Sequence, residues 1–88
     1  MKRIFGNGMN DEALGLRVLR ILIDRGCEPG ADYSDELAQT WFAASDLDDE
    51  QTELGFVVAR DKGWVIMPTD RPGSFRISQA GFDAANAV

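Results

Sequence analysis

The sequence has no histidine and a single cysteine in 88 residues. Histidine is the commonest general base near neutral pH and the commonest metal ligand, so its absence removes Ser-His, Cys-His and His-metal chemistry together. Cys27, the lone cysteine, excludes an internal disulfide. No apolar run approaches the roughly 20 residues that a membrane-spanning helix needs; the stretch Val18 to Ile23 is short and interrupted by Arg20. No signal-peptide pattern opens the chain, and a reducing cytoplasm is the expected compartment. The most informative absence is of basic side chains: residues 26–59 contain no Lys or Arg.

That gap defines the charge pattern. Residues 26–59 carry nine acidic side chains and a charge of −9, more than the whole net charge of −6. Residues 1–25 hold five basic and three acidic side chains, and residues 60–88 hold four and three. Hydrophobic residues make up 44% and charged residues 27%, ordinary values that predict a folded chain rather than a disordered one. The length suits one small domain.

Residues 1–9 read as a flexible leader with breakers at Gly6, Asn7 and Gly8, in which Ile4 and Phe5 could pack on the domain or on a second copy. Residues 10–88 read as the domain. Asn10 is placed to cap a first helix, with Asp11 and Glu12 in the first turn, where the helix dipole favours negative charge. Leu14, Val18, Ile21 and Leu22 recur at helical spacing, and Gly26 fits the position just past the helix end. Ala31 to Tyr33 is a candidate short strand. Ser34 is the expected cap of a second helix whose buried face is Leu37, Ala38, Trp41 and Phe42. After the short turn "AASD", Ser45 or Asp46 is the expected cap of a third helix with Leu47, Leu54, Val57 and Val58 as its apolar positions and Phe56 to one side. Arg60 and Lys62 complement its end and Gly63 stops it.

The period then changes. "WVIMP" and "SFRI", separated by the turn chemistry of "TDRPG", predict a hairpin in which Phe75 and Ile77 oppose Arg76. Trp64 is expected to seal the first of these strands against the third helix. Ser78 caps a last short helix with Phe82 and Ala85 inward. The expected fold class is α+β.

The order of elements, together with "ARDKGWVI" and "SFRISQAGFDAA", resembles the winged helix-turn-helix superfamily, in particular small bacterial and archaeal winged-helix regulators. The resemblance spans residues 10–86. It implies a three-helix core, a β wing of two or three strands and a short C-terminal helix. It also implies helix three in a DNA major groove with the wing on the backbone, and pairing of two copies through the leader or the last helix.

The charges conflict with that implied function. Phosphate neutralisation needs Lys or Arg, yet the start of helix three presents Asp46, Asp48, Asp49, Glu50 and Glu53. Gln51 and Thr52 could read base edges there, and Arg71 and Arg76 of the wing could touch phosphates. A basic stripe joining Arg17, Arg20, Arg71 and Arg76 would offer DNA another face. Against this stands a protein-binding reading. Asp35, Glu36, Asp46, Asp48, Asp49, Glu50 and Glu53 lie on helix two, helix three or the turn between them. There they would form one acidic patch that steers a basic protein partner. A nucleic-acid mimic that inhibits a DNA- or RNA-binding protein is one version of this. The plainer reading is that the acids stabilise helix starts and keep the chain in solution.

Other chemistry finds little support. Asp46, Asp48 and Glu50 have the spacing of a calcium loop, but Gln51 and Val57 occupy the positions where that loop needs Gly and Glu. "GNG" at Gly6 to Gly8 lacks the preceding strand and following Lys of a phosphate loop. Cys27 follows a helix end, where the dipole raises a thiol pKa. The expectation is a non-enzymatic module without cofactor or metal.

Overall fold

The computed structural model describes residues 10–87; the expected leader, with Ile4 and Phe5, lies outside the described residues. The chain runs α1 (Asp11–Asp24), β1 (Asp32–Ser34), α2 (Asp35–Ala43), α3 (Asp49–Asp61), β2 (Val65–Ile66), β3 (Ser74–Ile77) and α4 (Gln79–Asn86). The described residues form a small α+β domain of four helices and a three-stranded antiparallel sheet ordered β1-β3-β2.

Each helix starts where a side chain satisfies its free backbone N–H groups. Asn10 accepts from the Ala13 N–H, Ser34 from Leu37, Asp48 from Gln51 and Ser78 from Gly81. The expected caps at Asn10, Ser34 and Ser78 are those observed. The cap of α3 differs: it is Asp48, neither Ser45 nor Asp46. Two forces place it there. Gln51 Oε1 accepts from the Asp48 N–H at 3.0 Å while Asp48 Oδ1 accepts from the Gln51 N–H at 2.7 Å, a reciprocal capping box. Leu47 is also pulled into the core ahead of the helix, so it is not one of the helix's own apolar positions. Ser45 closes the turn instead, donating to the Phe42 carbonyl at 2.6 Å and accepting from the Leu47 N–H. Gly26 and Gly63 take positive φ values of 95° and 77° just past α1 and α3, where a left-handed residue ends the helix.

The core gathers Leu14, Val18, Leu19 and Leu22 of α1, Phe42, Val65, and Phe75 and Ile77 of β3. α3 meets α1 most closely through the buried Gly55 and Ala59, with the half-buried Val58 against Gly15 of α1 and the half-buried Leu54 packed on the core. The close approach explains this: a methyl group at Gly55 would stand 2.7 Å from the Leu14 carbonyl oxygen. On α2, Ala38 and Phe42 are buried and Trp41 is half-buried, while Leu37, expected inside, is 46% exposed. Phe82 is half-buried, and Gly81 and Ala85 form the inner face of α4.

β1 is shifted one residue from the expected strand because Asp32, Tyr33 and Ser34 pair with Arg76, Phe75 and Ser74. Phe75 and Ile77 face the core opposite Arg76, as the alternation predicts. Trp64 meets the end of α3, as expected, where its N–H donates to the Ala59 carbonyl at 2.8 Å, and it reaches two further helices. Its ring lies against Gly15 of α1, and its backbone lies under Gly81 of α4. Ser78 donates to the Gly63 carbonyl at 2.6 Å, fastening the start of α4 to the end of α3.

Candidate functional site: an acidic-rimmed groove between α2 and α3

α2 and α3 diverge from the Ser45–Asp48 turn and leave a groove of about 530 Å³ between them. Its apolar lining includes Ala38, Phe42, Phe56, Val57 and Met67. Phe42 is buried in the core, and the half-buried Phe56 packs against it. Phe42 meets Phe56 edge-on at 6.3 Å, Phe56 meets Phe75 at 5.8 Å, and Phe75 meets Tyr33 at 5.9 Å. This aromatic ladder runs from the sheet to the groove and backs its apolar lining with the core.

The polar lining is Asp35 and Gln39 from α2, and Asp49, Thr52, Glu53 and Arg60 from α3. Three carboxylates against one guanidinium give the rim a formal charge of −2. Periodicity explains the set. Asp49, Glu53, Phe56 and Arg60 follow the three- and four-residue spacing of one helix face, turned away from the Gly55–Ala59 seam with α1.

The seven acids expected to form one patch are divided by the fold. Asp35, Asp49 and Glu53 share the groove. Glu36 stands beside it with Ser34, Gln39 and Gly73 of the β2–β3 loop. Asp48 is the cap of α3, and Glu50 is exposed in its first turn. Asp46 turns toward α1, where the Arg17 guanidinium pairs with it and holds its carboxyl below the usual range. Residues 26–59 are therefore not wholly uncompensated. Asp32 is answered too: Arg76 donates to it at 2.7 Å, Arg71 lies at 3.2 Å, and the Arg76 hydrogen bond lowers its pKa most. The same pair raises the pKa of Arg76.

These pairs engage the basic side chains that contact with DNA would need. Arg71 and Arg76 share Asp32, Arg17 holds Asp46, and Arg20 binds Asp24 at 3.0 Å and Asn86 at 3.2 Å. Lys62 Nζ sits over the Trp64 ring, 5.6 Å from its centre. Of the two candidate base readers, Gln51 has its carbonyl oxygen in the capping box, and Thr52 lines the groove.

Cys27 is buried and its thiol is pushed up to about 11. Burial is the cause, where the sequence had suggested the helix dipole. Among the described residues, no cluster of His, Cys, Asp and Glu side chains is arranged to hold a metal ion, and no helix is long and apolar enough to cross a membrane. The groove also includes Gln39, Ala43 and Met67: Ala43, expected in the "AASD" turn, is the last residue of α2, and Met67, expected in the "WVIMP" strand, lies just past β2.

Comparison of the chain with protein-family models, with curated proteins and with solved structures finds no match.

Proposed function

We propose that the chain is a winged-helix module without enzymatic activity that binds a basic protein partner through the acidic face of α2 and α3. The observation that carries this reading is the groove itself, where three carboxylates from two helices surround an apolar lining. Support for a winged helix comes from the element order, the tight turn between α2 and α3, and the β1-β3-β2 sheet order. Support for a non-enzymatic role comes from the absence of histidine and the buried, weakly acidic thiol of Cys27.

DNA binding through α3 ranks below this reading. The helix start that would approach a phosphate carries Asp48, Asp49 and Glu50, which fill the positive end of the dipole with the protein's own charge. The wing arginines already share a carboxylate.

Two titrations at about 50 mM salt, where phosphate contacts are strong, separate the readings. The full chain is titrated with a lysine-rich peptide and with a mixed-sequence DNA duplex. The peptide is expected to bind, to weaken as salt rises, and to lose affinity when Asp48→Asn, Asp49→Asn and Glu53→Gln are combined. The duplex is expected not to bind. Tight duplex binding with no response to the peptide refutes the proposal.

A further inference from the structure

The acidic face contains a shaped cavity as well as charge, and this narrows the chemistry of what it binds. We infer that the α2–α3 groove takes an amphipathic segment of the partner, inserting apolar side chains between the helices while flanking Lys or Arg side chains meet Asp35, Asp49 and Glu53. The inference rests on the proposed acidic-face function and assigns that face a binding mode.

Four observations lead there. The groove, at about 530 Å³, lies within the roughly 300–1,000 Å³ typical of ligand-sized clefts. Its lining includes half-buried Phe56, Val57 and Met67, so apolar surface remains for a partner to cover. Phe42 and Phe56 are braced by the ladder to Phe75, so the cleft is formed before binding and little ordering is needed. The rim is asymmetric in sign, with three carboxylates and a single Arg60. An acidic or phosphate-bearing segment would meet like charge there, whereas a basic one is steered in and held.

An apolar lining with an acidic rim suits an amphipathic helix that lays its apolar face into a groove, with anchors at i, i+3 or i+4 and i+7. The anchors supply the affinity. The flanking bases supply rate and selectivity, because their pairs with the exposed Asp49 and Glu53 remain wet. A purely basic segment without anchors would leave the apolar lining in water.

The test uses two synthetic peptides of equal length and equal positive charge, measured by fluorescence anisotropy against the full chain. One carries Leu and Phe at i, i+3, i+4 and i+7; the other has Ser and Gln at those positions. The apolar peptide is expected to bind about tenfold tighter or more, since one buried apolar side chain is worth at least that factor. Ala43→Glu, at an exposed position of the lining, adds negative charge and polar bulk together. It is expected to weaken the apolar peptide and not the polar one. Equal affinity of the two peptides overturns the groove inference and leaves the acidic-face function standing. Failure of both to bind overturns both. Sedimentation showing a dimer whose formation excludes the apolar peptide would make a second copy the occupant and also overturn the inference.

Discussion

Asp48 caps α3 with its carboxylate and also adds to the negative charge at that helix start. One pair of substitutions separates the roles. Asp48→Ala removes the acceptor for the Gln51 N–H and is expected to lower stability by about 1 kcal/mol, the usual cost of a lost cap. Asp48→Asn keeps an acceptor of the same shape and is expected to stay within a few tenths of a kcal/mol of the parent. Urea unfolding at neutral pH reads both. Equal losses for the two would mean that charge at the helix dipole, not the capping box, sets this helix start. The cap was partly legible. Ser45, Asp46 and Asp48 are all good capping residues, so residue type alone could not choose among them. The deciding signal, Gln51 three residues after Asp48, is in the sequence. The second force, burial of Leu47 into the core, depends on tertiary packing and could not be read there.

The pairing of α1 and α3 depends on the absence of side chains as much as on their presence. Gly55 lets the Leu14 carbonyl oxygen and Val18 approach to a distance no methyl group tolerates. Gly55→Ala gains roughly 1 kcal/mol of helix propensity. It also forces a clash with backbone that cannot rotate away, and overpacking of that kind costs about 1–3 kcal/mol. A net loss of stability is expected, seen as a lower urea midpoint with an unchanged slope; a more stable variant would show that the two helices slide apart freely. Periodicity locates α3 and its end, and Leu54 and Val58 do pack inward, but it passes over the two most buried positions. Leu54, Val57 and Val58 are the apolar residues, so a hydrophobicity count points to them. The buried seam uses the small Gly55 and Ala59 instead, which leaves Phe56 and Val57 for the groove. The half-buried apolar residues of the candidate site are thus a consequence of how α3 meets α1.

Across the whole molecule, the charge asymmetry of the sequence survives folding only in part. Arg17, Arg71 and Arg76 come from outside residues 26–59 to pair with Asp46 and Asp32. A linear charge count could not foresee those contacts, since Arg17 is 29 residues from Asp46 and Arg76 is 44 from Asp32. Of what remains of the asymmetry, Asp35, Asp49 and Glu53 lie around the apolar cleft between α2 and α3, with Glu36, Asp48 and Glu50 nearby on the same two helices and their caps. The central claim is therefore local, and chemical-shift mapping tests it most directly. The isotope-labelled chain is titrated with the basic amphipathic peptide while backbone amides are followed by NMR. The amides that move are expected to fall in Asp35–Ala43 and Asp49–Asp61 and near Met67. Shifts centred instead on Arg71, Arg76 and the β2–β3 hairpin, with α2 and α3 unmoved, would contradict the account.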